Sequence, residues 1–191
     1  MTQQLIRCPW VGNDPLMILY HDKEWGVSVH DDKKLFEYLI LDCFQAGLSW
    51  STILKKRINF RRAFDNFDAV KIARYRESEI KRLLADSGIV RNYSKIFGTI
   101  VNAKKYLEIQ REFLSFNKYI WGFVGGKPIK HNFKEISQLP AKTQESDKLS
   151  EDLQKRGFTF VGSTICYAFM QAAGLVNDHL IDCFRRGENV G

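Results

Sequence analysis

This 191-residue sequence has only four cysteines and four prolines, and each scarcity excludes something. Cysteines at 8, 43, 166 and 183 are too few and too scattered to staple a secreted scaffold of this size, which leaves them as thiols or metal ligands in a reducing compartment. No stretch reaches the roughly 18 apolar residues of a membrane span. The N-terminal MTQQLIRCPWVGNDP has no apolar run after a positive start, so no secretion signal is expected and the protein reads as cytoplasmic, without a membrane partner. The prolines, at 9, 15, 128 and 140, stand singly, and there is no repeat, low-complexity tract or linker. Residues 1–191 therefore read as one domain.

What is present argues for a substantial core. Hydrophobic residues make up 45% of the chain and aromatics 13%, which speaks against disorder, and a net charge of +7 suits a polyanionic partner, nucleic acid first. Period-two alternation is scarce, while helical patterns recur. His30, Asp31 and Asp32 precede KLFEYLILDCFQA, a helix with an N-cap and a stop at Gly47. Ser49 caps a second, SWSTILKKRINFRRAF. Others are expected at DAVKIARY, at SEIKRLLAD, from Asn92 to Phe113, from Ser146 and over STICYAFMQAAG up to Gly174. The segment from Lys118 to Pro140 reads as loop, with Gly125-Gly126 able to close a short hairpin. The fold class is all-α, a helical bundle.

Four residues suggest a metal. Cys8 and His21 lie near one end of the chain. His179 and Cys183 lie near the other, at the i, i+4 spacing that would put both on one helix face. A Cys2His2 set fills the tetrahedral sphere of zinc and leaves no place for a catalytic water, so such a site would be structural. Taken singly, a cysteine is as readily a small core residue and a histidine a hydrogen-bonded one. Cys43 and Cys166, inside apolar helices, read as core.

Two helices joined by FTFVG make a tight glycine-containing corner of the kind that grips a DNA backbone. Gly162 would allow close approach of a phosphate, the free N–H groups of Gly162, Ser163 and Thr164 would donate to it, and Lys155 and Arg156 would add charge. An ordinary helical corner would look the same. Lys55, Lys56, Arg57, Arg61 and Arg62 crowd one helix, which more simply reads as its solvated face. Trp10, Trp25 and Trp50 cluster early, with Tyr20 next to His21. Rings of this kind sandwich a flipped base, although most aromatics are core. Asp42 is surrounded on its helix by Tyr38, Leu39 and Ala46, so a carboxylate there must find donors, from a ligand or from a nearby backbone turn.

Together RCPW, YHDKEWGV, QAGLSWSTILKKR, SGIVRN and KRGFTFVGSTICYAFMQAAGLVNDH make nearly the whole chain resemble the 3-methyladenine DNA glycosylase I family of the helix-hairpin-helix superfamily. The resemblance implies a monofunctional, monomeric enzyme of base-excision repair. It would hydrolyse the N-glycosidic bond of cationic 3-methyladenine in alkylated double-stranded DNA, without strand cleavage or a redox cofactor. It implies structural Zn2+ on Cys8, His21, His179 and Cys183, and a base pocket of Tyr20, Trp50, Trp10 and Trp25. Gly47 and Leu48 would fill the gap left in the duplex.

Two departures stand out. The family has a glutamate, used to recognise the methylated adenine, where this chain has the shorter Asp42, and often a glutamine where it has Phe44. Asp42 would reach the N6 amino and N7 edge only if the helix sits closer or a water intervenes. It is the candidate catalytic and base-recognition residue, acting electrostatically first. The family lacks the aspartate that activates water elsewhere in the superfamily, and Asp178 is not given that role. Two alternatives follow: a catalytically weak or inactive lesion-binding homologue with shifted base preference, and a zinc hydrolase with an open site, which four protein ligands disfavour.

Overall fold

The computed structural model describes residues 5–187. Among these residues the helices are α1 (Pro15–Lys23), α2 (Asp32–Gln45), α3 (Trp50–Ala63), α4 (Ala69–Ile72), α5 (Glu77–Ala85), α6 (Tyr93–Phe113), α7 (Phe116–Gly122), α8 (Gln144–Lys155) and α9 (Ser163–Ala172). A two-residue parallel pair joins β1 (Ile129–Lys130) to β2 (Val176–Asn177). None of these helices is long and apolar enough to cross a membrane.

The centre of the bundle is α2. Every residue from Leu35 to Phe44 is buried, so the helix is enclosed on all sides, with α3, α6, α7 and α9 packed against it. Its ends are closed by side chains. Asp31 accepts from the Lys34 amide at 2.7 Å, and the Lys95 ammonium donates to the carbonyls of Phe44 (2.8 Å) and Ala46 (2.5 Å), which have no partner within the helix. Phe44 lies in the core against Phe60, with ring centres 4.7 Å apart. Phe44 is therefore a core residue.

Three sequence expectations are corrected. The segment from Lys118 is not all loop, because α7 is capped by Ser115 and buries Phe116, Tyr119, Ile120 and Trp121. Gly125 and Gly126 do not close a hairpin. β1 pairs instead with β2, a partner far along the chain that no local pattern reveals. His179 and Cys183 do not share a helix. α9 ends at Ala172, the chain turns at Gly174, runs through β2, and reaches His179 in irregular chain and Cys183 at the end of a turn, with the Cys183 amide bonded to the Leu180 carbonyl at 2.9 Å. α1, begun by Asp14 and Pro15, gave no periodic signal of its own, since its few buried residues face two different sites.

Gly174 is the tightest point of this return. It adopts φ +72°, and a Cβ there would lie 2.4–2.5 Å from the backbone of Val27 and Ser28. The same two segments are tied by Gly26 N–H to the Gln171 carbonyl and Val29 N–H to the Ala173 carbonyl, both 3.0 Å. Gly174→Ala is expected to cost about 3 kcal/mol and lower Tm by roughly 10 °C in a thermal melt. An unchanged Tm would show that the two segments can separate freely.

Candidate active site

Consecutive residues of α1 diverge by about 100°, so Tyr20 and His21 face different places, and both are fully buried. His21 faces Cys8, His179 and Cys183, and the donor atoms of all four lie within 4.8 Å of one another. Cys183 Sγ is 3.4 Å from His21 Nε2 and 3.5 Å from His179 Nδ1, and Cys8 Sγ is 3.7 Å from His179 Nδ1. Metal bonds of about 2.0–2.3 Å in a tetrahedron separate the ligand atoms by roughly 3.6 Å, so the set fits a zinc-sized ion. All four residues are buried, which leaves no open position for a substrate. The Cys183 thiol is held far below its ordinary pKa, first by the Cys8 thiol and then by the two imidazoles.

Neighbours hold both imidazoles in place. Asp22 accepts from His21 Nδ1 at 2.8 Å and is itself paired with Arg7 at 2.7 Å, which turns Nε2 toward the cluster. His179 uses Nδ1 for the cluster and Nε2 toward the Trp25 carbonyl at 3.1 Å. A Cβ on Gly26 would come within 3.1 Å of that imidazole, and φ is +76° there. The cluster thus fixes the backbone at Trp25. The rings continue the contact: Trp25 meets His179 edge-on at 4.6 Å and Trp10 at 4.9 Å, and Tyr20 lies 5.2 Å from Trp50.

Tyr20 faces the other way, into a cavity of about 270 Å³ that also takes in Trp10, Trp25, Trp50 and Asp42. All five pocket residues expected from the sequence therefore meet in one place. The volume is at the small end for ligand sites and suits a single planar heterocycle. Four further side chains were not foreseen: Met17, Gln45, Ala168 and Gln171. Ile136 and Leu139 also join from the loop after β1, whose position no local pattern signals. Gln45 was legible, lying one helical turn from Asp42.

Asp42 is 2% exposed, and its Oδ2 has no hydrogen-bond partner among the described residues. Burial pushes its pKa well above the ordinary carboxylate range. Trp50 Nε1 is likewise buried without a partner. The Tyr20 phenol is pushed up by burial and then by Asp42. The backbone-turn explanation for Asp42 fails, because no turn reaches that oxygen. The cage presents unpaired polar atoms among indole and phenol rings, an arrangement suited to a flat ligand with donors and positive charge.

Elsewhere the basic residues sort themselves. Arg57 pairs with Glu24, Arg61 with Glu37 and Lys55 with Asp14, and Lys56 donates to the Ser87 carbonyl. Most of that run is therefore neither a free face nor an anion site. Arg156 is likewise spent on Asp152 and Glu112, whereas Lys155 is exposed. At the α8–α9 corner, α9 starts at Gly162 without a side-chain cap, and a Cβ there would meet nothing within 4 Å. Ser163 Oγ lies 2.9 Å from Ser146 Oγ, and Thr164 follows it in the first turn. Gly47 has φ +78° and open space beside it, and Leu48 is 38% exposed.

A family model described as methyladenine glycosylase matches residues 10–186. Over 177 residues, 93% of this chain, the sequence is 51% identical to DNA-3-methyladenine glycosylase 1 of Escherichia coli (strain K12), covering 95% of that protein. It is 48% identical to DNA-3-methyladenine glycosylase of Haemophilus influenzae over 93% of this chain and 96% of that one. A crystal structure of 3-methyladenine DNA glycosylase I superposes with a TM-score of 0.92 at 49% identity, over 94% of this chain and 98% of the other. The Staphylococcus aureus enzyme, solved to study 3-methyladenine recognition, gives 0.92 at 36% identity over 95% and 97%.

The raised pKa of Asp42 has a signed consequence. Below about pH 4 the carboxyl is protonated in both folded and unfolded chains and its burial carries no charge penalty. Above that, the unfolded chain releases a proton that the ligand-free folded chain keeps, so stability falls with rising pH up to the folded pKa. Wild-type Tm relative to Asp42→Asn should therefore decline between about pH 4 and 7. A flat difference would mean that Asp42 is solvated.

Proposed function

This chain belongs to the methyladenine glycosylase family, and from that premise we propose that it is a monofunctional DNA glycosylase that hydrolyses the N-glycosidic bond of 3-methyladenine in alkylated DNA. The observation that carries the reading is the unpartnered, buried Asp42 oxygen inside a cage of Tyr20, Trp10, Trp25 and Trp50. A 3-methylated adenine in DNA is a cation with a donor edge. The rings attract it by cation–π contact, and its arrival supplies the charge that lets Asp42 ionise. An extruded normal adenine brings no such charge, so it would leave the carboxyl uncompensated.

The bond to the sugar breaks with its electron pair going to the base, which departs neutral. The protein therefore needs no strong acid. Its tasks are to extrude the base, hold it between rings, keep bulk water from the cage and place the Asp42 carboxylate near the positive charge that develops on the sugar. Asp178 is not a base for the attacking water, since Tyr167, Gln171 and His131 already donate to its two oxygens. Asp42 is one methylene shorter than the family's glutamate, so it meets the amino and N7 edge of the base with α2 set closer or through a water.

Three features support duplex DNA as the partner. The α8–α9 corner acts as a helix-hairpin-helix. The uncapped start of α9, with the amides of Gly162, Ser163 and Thr164, receives a phosphate, and Lys155 adds charge beside it. The open, half-exposed Gly47–Leu48 turn fills the space left by the extruded nucleotide. The Cys8, His21, His179 and Cys183 cluster holds structural Zn2+, which contributes a cross-link between the chain ends and takes no part in the reaction.

Incubation with methylated duplex DNA should release free 3-methyladenine. Asp42→Asn should lower that release at least about 100-fold, as loss of a charged partner to a cation predicts. Lesion binding without release would identify a non-catalytic homologue instead. Zinc analysis should give one ion per chain, and its removal should lower Tm by more than about 10 °C, with loss of base release following. Full stability after chelation would remove the metal from the fold.

A further inference from the structure

α9 lines the cage through Ala168 and Gln171. The side chain of Gln171 donates from Nε2 to Asp178 Oδ2 at 2.7 Å. Asp178 is 1% exposed and receives two more donors, Tyr167 Oη on Oδ2 at 2.5 Å and His131 Nδ1 on Oδ1 at 2.7 Å. This arrangement fixes the sense of the amide. A carboxylate accepts hydrogen bonds and cannot donate one to an amide oxygen, so turning Gln171 over would set two acceptors against each other in a buried place. Nε2 must face Asp178, which leaves Oε1 as the free end of the amide, with no protein partner among the described residues.

We propose that Gln171 is a specificity-determining residue of the base pocket, a fixed acceptor for the exocyclic amino group of the bound base. Asp178 is the positioning residue that orients it. The inference rests on the glycosylase reading above. A 3-methyladenine still joined to its sugar has a single donor group, the amino group, with two N–H bonds, and its free ring nitrogens only accept. On this reading the cage offers two acceptors with no partner among the described residues, Asp42 Oδ2 and Gln171 Oε1, one for each N–H. Its donors, Trp50 Nε1 and the Tyr20 phenol, serve the ring nitrogens. A 3-methylguanine carries a carbonyl oxygen where adenine has the amino group. Gln171 would then meet it acceptor to acceptor, so one fixed amide rewards the first base and rejects the second.

The test compares release of 3-methyladenine and 3-methylguanine from the same methylated DNA by the full-length, zinc-loaded protein. Gln171→Met keeps volume and helix preference. It should lower kcat/KM for 3-methyladenine about 10- to 100-fold, as expected for one hydrogen bond to a charged ligand, and leave 3-methylguanine release undiminished or raised, with zinc content unchanged. Asp178→Asn should reduce the discrimination in the same direction and should change nothing further in a Gln171→Met background. Gln171→Ala serves in the same assay if the methionine variant folds poorly. Equal losses for both bases, or unaltered discrimination, would overturn the proposal. Failure of the wild-type protein to release either base would instead overturn the glycosylase reading, so the two failures are distinguishable.

Discussion

The imidazole of His179 joins two halves of the site. Its Nδ1 faces the thiols of Cys8 and Cys183 while its Nε2 is hydrogen-bonded to the Trp25 carbonyl, and a glycine at 26 is needed for the ring to come so close. The segment from Cys8 to Trp25 carries three of the cage rings, Trp10, Tyr20 and Trp25, but only one α-helix, the nine-residue α1. Such a segment buries too little apolar surface to order itself. Its position depends on being tied at Cys8 and His21 to the far end of the chain, and then on the return of residues 174–177 past Val27.

The second constraint is the dielectric of the cage. Rings on several sides remove water from Asp42, and the described residues supply no donor to its Oδ2. The burial costs stability locally, and under the proposed function it gives the carboxyl its full electrostatic effect on a ligand of opposite charge. Asp178, equally buried a short way along the chain from α9, is treated in the opposite manner, with three donors converging on it. The contrast matches the two proposed roles, an unsatisfied carboxylate to meet the ligand and a satisfied one to hold its neighbours still.

The rigid body of the bundle supports both. α2 carries Asp42 and Gln45 on a helix enclosed on all sides, so the carboxyl cannot swing to water, and Lys95 closes the end of that helix just before the Gly47–Leu48 turn. The element that presents the pocket carboxyl therefore also sets the turn expected to enter the duplex. Much of the basic surface that charge alone would assign to DNA is used inside the protein, by Glu24, Glu37 and Asp14.

Local chemistry was legible from the sequence. Asp31, Ser49 and Asn92 announced helix starts because a side-chain oxygen next to an apolar-periodic run has one obvious use, and Asp42 stood out because a carboxylate on an apolar helix must be explained. The ordered motifs pointed to the metal and pocket residues as a set. Whatever depends on contacts distant along the chain was not legible. The β1–β2 pair and the approach of Gly174 to Val27 join residues tens of positions apart, and the packing of Phe44 on Phe60 and the sense of Gln171, set by Asp178 beyond the end of α9, depend on how separate elements meet. The i, i+4 spacing of His179 and Cys183 suggested a helix that the structure replaces with irregular chain and a turn, since Gly174 and β2 direct the chain elsewhere and the cluster needs only the donor atoms brought together. Sequence determined which groups are available and how each helix begins; tertiary packing decided which of them lose water, and that desolvation turns a carboxyl and an amide into a site.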